Sequence, residues 1–207
     1  MTREEVMEIQ RTTDINYSPY YDVIPALINE RDYKSGIEIG VFAGGQSKSI
    51  LDKTNLKILL GIDPYRKYTQ CGINGMGTIT QQEDFDIMCE LALTRLDRQR
   101  FWISRMTSDE ALYPVIKSIQ RWHEEKVFDR NQVDFVFFDG LHEARQLQKD
   151  IDNYVPLIRK GGACIFHDYN HPTFPDLTPV IDNFAKEHNS VLNIEPLHLV
   201  YVDKTWD

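Results

Sequence analysis

Residues 36–47 read Gly-Ile-Glu-Ile-Gly-Val-Phe-Ala-Gly-Gly-Gln-Ser, and this stretch decides the fold. Its first half is a short apolar run, which is typical of a buried strand, and the residues that follow predict a helix. Between them, Gly40, Gly44 and Gly45 allow a ligand to approach the backbone and the free N–H groups of the helix N-terminus. Tight turns also use glycine for purely steric reasons, so the stretch alone leaves the ligand open.

Short apolar runs alternate with segments of helical period along most of the chain. The runs predicted to be strands are 36–40, 56–62, 101–103, 133–138 and 163–166. The segments predicted to be helices are 47–52, 111–122 and 147–158. We expect Gly161 and Gly162 to end the last of these helices. Strands that are apolar almost throughout and alternate with helices predict a parallel sheet covered on both faces.

The C-terminal region follows a different pattern. Two apolar stretches, 191–194 and 197–202, are separated by little more than Glu195 and Pro196. A connection this short cannot form a parallel crossover, so we predict that the last strands are antiparallel neighbours.

Composition narrows the class of partner. The 207 residues include 23 Lys and Arg against 32 Asp and Glu, a formal charge of -9. Nucleic acids and anionic lipids both attract basic surfaces, so this balance argues against either partner. The first residues lack an apolar leader, and no run approaches the roughly 18 apolar residues of a membrane span. We therefore expect a small-molecule partner and a cytoplasmic location; the oligomeric state, a homo-oligomer included, stays open.

Cysteine usage agrees with a reducing environment. Cys71, Cys89 and Cys164 are far apart and form no Cys-x-x-Cys pair. Their number and spacing argue against a thiolate zinc site and against a disulfide framework.

Two segments show little periodicity within what we predict to be a single domain, 1–207. Residues 1–22 are rich in tyrosine, and residues 64–84 hold three glycines and one cysteine. Either can be a plain surface loop. Because loops this long more often serve as lids or binding loops, we predict an N-terminal lid or cap at 1–22 and an active-site loop at 64–84.

Acidic residues accompany the glycine turn. Glu38 lies inside it, the spacing lacks the third glycine of a dinucleotide site, and no Gly-Lys-Ser/Thr ends it as in a P-loop. A carboxylate there would repel a pyrophosphate but suit an amino or sulfonium group, which disfavours a nicotinamide dehydrogenase. Asp63 ends the next strand, where an acid accepts hydrogen bonds from ribose hydroxyls. Thr107 and Ser108 follow a third strand, and the combination favours an adenosine ligand.

From Gly36 onward the chain resembles a class I S-adenosylmethionine-dependent methyltransferase. The segments Asp-Gly-Leu-His at 139–142 and Gly-Gly-Ala-Cys-Ile-Phe-His-Asp-Tyr at 161–169 resemble a group that includes O-methyltransferases of sugars and natural products. The resemblance implies a Rossmann-like, doubly wound, mostly parallel seven-stranded sheet with an antiparallel C-terminal strand. It also implies cofactor contacts: Glu38, Gly40, Phe42, Gly44 and Ser47 around the methionine, Asp63 at the ribose, Thr107 and Ser108 at the adenine, and Asp139.

Asp139, His142, His167 and Asp168 follow two strand ends and are expected at one edge of the sheet. Three roles compete for them. Asp139, His167 and Asp168 can hold a divalent metal, Mg²⁺ or Mn²⁺, with Zn²⁺ or Fe²⁺ as alternatives. His142 or His167 can instead act as a general base toward an acceptor hydroxyl, and here we favour His142. The third reading is that His167 and Asp168 only hydrogen-bond each other and hold the loop.

Three functions remain open at this point. The leading one is methyl transfer from S-adenosylmethionine to a hydroxyl of a small molecule, such as a sugar or a glycosylated metabolite, with or without a divalent metal. A metal-dependent hydrolase or oxygenase would use the cluster of Asp139, His167 and Asp168 without binding adenosine. A non-catalytic adenosine-ligand protein would bind the cofactor without an acceptor.

Overall fold

The computed structural model describes residues 20–66, 82–126 and 131–207. The elements, in chain order, are α1 (Tyr20–Arg31), β1 (Ser35–Ile39), α2 (Gly45–Lys53), β2 (Ile58–Ile62), α3 (Gln82–Arg95), β3 (Phe101–Ser104), α4 (Ser108–Glu124), β4 (Val133–Phe138), α5 (Ala144–Tyr154), a 3₁₀ turn (Val155–Leu157), β5 (Ile158–Phe166), α6 (Leu177–Glu187), β6 (Asn193–Glu195) and β7 (Leu199–Asp203).

The strands form one seven-stranded sheet in the order β3-β2-β1-β4-β5-β7-β6. Strands β1 to β5 pair in parallel, whereas β7 runs antiparallel to β5 and β6 antiparallel to β7. The predicted fold class and the antiparallel C-terminal strands are confirmed. Strand order reverses between β1 and β4, which is where open α/β sheets bind their ligands.

Helices cover both faces of the sheet. On one face, buried side chains of α4, α5 and α6 pack against Ile37 and Ile39 of β1 and Val136 of β4. On the other, α1, α2 and α3 pack against Phe135 and Phe137 of β4. Neighbouring strand residues therefore face opposite layers, and each central strand is buried on both sides.

One predicted boundary was wrong. Gly161 and Gly162 do not end a helix, because α5 stops at Tyr154 and both glycines lie inside β5. They form an irregularity in the pairing with β4, where Gly161 has a φ of +79°. A Cβ on Gly162 would lie 2.2 Å from the carbonyl oxygen of Asp134, so only glycine lets the two strands approach there.

Helices α1 and α3 had no predicted counterpart. The buried side chains of α3 are Asp84, Phe85, Met88, Cys89, Leu91 and Ala92, which share one helix face with the spacing i, i+3, i+4 and i+7, a helix signal that the sequence analysis missed. The predicted loop 64–84 overlaps the start of α3, because residues 82–84 are helical, and 67–81 lie outside the described residues. Of the predicted lid, 1–19 lie outside them too, so its role stays a prediction. Among the helices of the described part, none has the length and apolar character needed to cross a bilayer.

We predict that Gly36→Ala destabilises the fold by about 2 kcal/mol through overpacking. The new Cβ would lie 2.2 Å from the ring of Phe135 on the neighbouring strand. Denaturant unfolding of Gly36→Ala, Phe135→Leu and the double variant measures the coupling between the two positions. The double variant should lose less stability than the sum of the two single losses; strict additivity would show that the ring is not what excludes the methyl group.

Candidate functional site

A cavity of about 640 Å³ lies at the carboxyl edge of the sheet. The turns after all five parallel strands contribute to its wall. Its lining consists of 38–42, Gly45, Gln46, 62–66, Phe85, Met88, 107–109, 139–142, Gln146, Asp150, His167 and Asp168. Ten predicted site residues are thereby brought together: Glu38, Gly40, Phe42, Asp63, Thr107, Ser108, Asp139, His142, His167 and Asp168.

Gly44 and Ser47, also predicted to contact the cofactor, do not line the cavity. Gly44 has a φ of +78° and faces Ala92 of α3, so its conformation and the close packing behind it explain the glycine. Ser47 is fully buried and its hydroxyl donates a hydrogen bond to the carboxylate of Glu38. Any effect of these two residues on a ligand is therefore indirect.

Glu38 is 1% exposed, and it is one of the residues that line the cavity. Burial raises the pKa of this carboxyl to about 8, helped by the charges of Asp139 and Asp63, while the Ser47 hydrogen bond opposes the rise. At neutral pH the side chain thus carries a proton for most of the time in the ligand-free protein. A cation placed beside it would favour the ionised form.

Asp63 fixes the glycine turn. Its Oδ2 accepts hydrogen bonds from the backbone N–H groups of Val41 and Phe42 at 3.1 and 2.9 Å, and its Oδ1 accepts one from Tyr65 at 2.9 Å. Burial raises the pKa of Asp63, and these three backbone donors hold the rise back. Asp63 therefore joins the end of β2 to the turn after β1.

Gly40 allows the turn after β4 to approach the turn after β1. Its φ is +91°, and a Cβ there would lie 1.9 Å from the carbonyl oxygen of Asp139. Only glycine lets the turns after β1 and β4 touch at this point.

Gln46 is a functional candidate that the sequence analysis missed. Its side chain lies in the first turn of α2, lines the cavity and is 4% exposed. Within the described residues, neither its Oε1 nor its Nε2 has a hydrogen-bond partner. A buried, unpaired amide costs about 1–3 kcal/mol unless something satisfies it, which makes Gln46 a candidate ligand contact. Sequence alone gives no such signal, because it does not reveal which side chains lack partners.

A network of polar side chains forms the wall beyond β3. Gln146 Nε2 donates to Ser108 Oγ, Asp109 Oδ1 and Asp150 Oδ1 at 3.1, 3.2 and 3.0 Å. Burial raises the pKa of Asp150 to about 6. Thr107 caps α4, its hydroxyl accepting from the backbone N–H of the third helical residue in a capping box.

The two histidines and two aspartates form one cluster. His142 Nε2 lies 2.9 Å from Asp168 Oδ2 and 3.8 Å from Asp139 Oδ1. His167 Nδ1 lies 3.0 Å from Asp139 Oδ1 and 3.4 Å from Asp168 Oδ2. Ligand atoms of Asp139, His142 and Asp168 all lie within 4.8 Å of one another, a group that can hold a metal ion. In this group His142 stands in place of His167, which the sequence analysis predicted as the third ligand.

Charge in the cluster bears on the predicted base. Burial alone would lower the pKa of His142, but Asp139 and Asp168 outweigh this effect and raise the pKa to about 9. The same two aspartates raise the pKa of His167 to about 10. The histidines in turn hold the pKa values of Asp139 and Asp168 below normal, against burial. Without a cation, His142 is protonated at neutral pH and cannot accept a proton.

A second cavity, of about 330 Å³, lies on another side of His142. It is lined by His142, Glu143, Ala144 and 173–177. Phe174 stacks on the His142 ring, with centroids 4.2 Å apart and planes inclined by 15°. His142 therefore borders both cavities.

Known proteins share this architecture. Residues 37–169 match a family model described as a methyltransferase domain. An uncharacterized protein of Acanthamoeba polyphaga mimivirus is 24% identical over 171 residues, covering 81% of this chain and 67% of the relative. The O-methyltransferase TomG from Streptomyces achromogenes, solved with S-adenosylmethionine, has a TM-score of 0.60 at 14% identity, covering 99% and 89% of the two chains. A TDP-rhamnose 3'-O-methyltransferase of calicheamicin biosynthesis has a TM-score of 0.52 at 16% identity, covering 94% and 79%.

We predict that Glu38 makes the fold less stable as pH rises. Between the ordinary pKa of 4.5 and the folded value of about 8, the folded chain binds more protons than the unfolded chain, so the free energy of unfolding falls with pH. Between about pH 5 and pH 8, wild type should lose on the order of 4 kcal/mol relative to Glu38→Gln.

Denaturant unfolding at a series of pH values measures this difference, with Glu30→Gln as a control at an exposed glutamate. A stability difference between wild type and Glu38→Gln that does not change with pH would mean that Glu38 is ionised in the fold.

Proposed function

We propose, from the premise that this chain belongs to the methyltransferase-domain family, that it transfers the methyl group of S-adenosylmethionine to a hydroxyl of a small molecule. Membership confirms the resemblance to class I methyltransferases; the narrower group with the Asp-Gly-x-His turn stays a prediction. The methyl donor, the oxygen acceptor and the roles of individual residues are the parts proposed here.

The observation that carries the proposal is the charge and shape of the larger cavity. S-adenosylmethionine bears a sulfonium and an ammonium group, and Glu38 offers the wall a carboxyl that ionises when a cation approaches. Asp63, at the end of β2, stands where doubly wound folds hold ribose hydroxyls. A volume of about 640 Å³ lies within the range of small-molecule sites.

The smaller cavity is the proposed acceptor site. It meets the cofactor cavity at His142, so a hydroxyl held there would lie beside the Asp/His cluster. Thr173, Phe174 and Asp176 contribute to its wall. A sugar or glycosylated metabolite is the proposed acceptor class, and the similarity to a TDP-rhamnose 3'-O-methyltransferase supports it.

Methyl transfer to an alcohol needs positioning and loss of the hydroxyl proton. Asp139, His142 and Asp168 supply oxygen and nitrogen donors that fit a divalent cation, and His167 contacts Asp139 beside them. Such an ion, when bound, lowers the pKa of a coordinated hydroxyl. The side chains themselves hold the cluster in place. With the carboxylates neutralised, the imidazole of His167 loses the charges that raise its pKa and can accept the proton. We propose that the reaction depends on a divalent metal.

Calorimetric titration and product analysis test the function. We expect S-adenosylmethionine and S-adenosylhomocysteine to bind the full chain, and radiolabelled methyl groups to appear on hydroxylated acceptors such as nucleotide sugars. Failure of both cofactor forms to bind, with and without added divalent metal, would overturn the proposal. Cofactor binding with no transfer to any hydroxyl compound would favour the non-catalytic alternative.

We predict that Gln46→Met separates cofactor binding from stability. Removing the unpaired amide from the buried wall should leave the free energy of unfolding unchanged or raise it by about 1 kcal/mol. Loss of an amide contact to the ligand should weaken S-adenosylhomocysteine binding by about 10-fold, as one hydrogen bond is worth roughly 1.5 kcal/mol.

Isothermal titration and denaturant unfolding of the same preparations give both values. Gln148→Met, an exposed glutamine of α5 away from the cavity lining, is the matched control and should change neither. Unchanged affinity in Gln46→Met would remove Gln46 from the ligand contacts.

A further inference from the structure

We infer that Asp139, His142 and Asp168 form a cation site that prefers a first-row transition ion such as Zn²⁺ or Co²⁺ to Mg²⁺. The inference deepens the proposed function, because it names the class of the divalent ion that the reaction would use. The location of the site and its set of donor atoms, however, are argued only from the positions of the three side chains.

The geometry selects His142 as a ligand. Its Nε2 faces both carboxylates, at 2.9 Å from Asp168 Oδ2 and 3.8 Å from Asp139 Oδ1. One ligand atom from each of the three side chains lies within 4.8 Å of the other two, a span that a single ion can bridge with small side-chain movements. His142 comes from the turn after β4, three residues after Asp139, and Asp168 comes from the turn after β5.

Packing holds the His142 ring in this orientation. Phe174 stacks on it at 4.2 Å, and His171 stacks on Phe174 at 5.2 Å. A ring fixed in this way keeps Nε2 directed at the two carboxylates. The ring therefore needs little reorganisation on binding an ion, which favours affinity.

The donor set decides the class of ion. Mg²⁺ favours oxygen ligands and retains several waters, whereas imidazole nitrogen suits zinc, iron, nickel and copper. A second imidazole, His167, lies 3.0 Å from Asp139 Oδ1 and orients that carboxylate. An imidazole that is hydrogen-bonded to a metal-binding carboxylate does not itself bind the metal, but it orients the carboxylate and changes the affinity for the metal. Two carboxylates with at least one imidazole thus favour a transition ion.

Binding of the metal alone to the full chain, after treatment with a chelator, tests the inference without any cofactor. We expect Zn²⁺ and Co²⁺ to bind one per chain, at least about 100-fold tighter than Mg²⁺, following the order of affinities for nitrogen-containing sites. Bound Co²⁺ should also give visible absorption bands that Zn²⁺ abolishes by displacement.

Variants identify the ligands. His142→Asn should weaken Zn²⁺ binding more than about 100-fold, beyond the roughly 10-fold to 100-fold loss expected for the outer partner in His167→Asn. His142→Asp, which replaces nitrogen by oxygen, should narrow the gap between Zn²⁺ and Mg²⁺. His188→Asn is the control, because this histidine stacks on Trp206 at the far end of α6 and should leave both affinities unchanged.

The outcomes separate this inference from the proposed function. Mg²⁺ binding as tight as Zn²⁺ binding, no metal binding by wild type, or a smaller effect of His142→Asn than of His167→Asn would each overturn it. Unfolding midpoints check that every variant is folded. Cofactor binding is measured separately, so a chain that binds S-adenosylhomocysteine but no transition ion keeps the function and loses the inference.

Discussion

Buried and half-buried carboxylates at the carboxyl edge of the sheet are the constraint on which the site depends. The topology places the carboxyl ends of five parallel strands side by side. An acidic residue lies at or just after the carboxyl end of four of these strands. Burying a charge is costly unless it is paired or removed, and here each acid is compensated differently. Glu38 keeps a proton, Asp63 accepts three backbone hydrogen bonds, and Asp139 and Asp168 pair with two histidines.

These different compensations divide the cavity into regions with different ligand preferences. Asp63 is committed to the glycine turn, so its remaining acceptor capacity suits neutral hydroxyl groups. Glu38 holds its proton because burial and the charges of Asp139 and Asp63 disfavour its ionised form, which makes it responsive to a cation. The Asp139 and Asp168 pair already accommodates positive charge. A ligand with a ribose and a cationic end matches these regions of the cavity wall, because Asp63 can accept from the ribose and Glu38 can pair with the cation. A pyrophosphate would be repelled by the carboxylates.

The strands were predictable because apolar runs bounded by turn residues are typical of parallel sheets. Asp63, Asp139 and Asp168 directly follow such runs or come close behind them, so their position at the carboxyl edge of the sheet was predictable too. Other features depend on information that periodicity does not carry. Gly161 and Gly162 lie where a helix pattern meets a strand, so a bulge in β5 resembled a helix end. The role of Gln46 depends on the absence of partners, which only coordinates reveal.

His142 illustrates how the structure changes a chemical argument. Its position three residues after Asp139 suits either a base or a ligand, and sequence does not distinguish them. Nε2 has one lone pair, which can accept a proton or bind a cation but not both. The nitrogen already faces two carboxylates, so in the absence of a cation it holds a proton, and in the presence of one it is a ligand. In the proposed reaction the acceptor proton therefore has to go elsewhere in both states. His167 is the second imidazole of the cluster, and it can take the proton only when a cation on the carboxylates offsets the charges that raise its pKa.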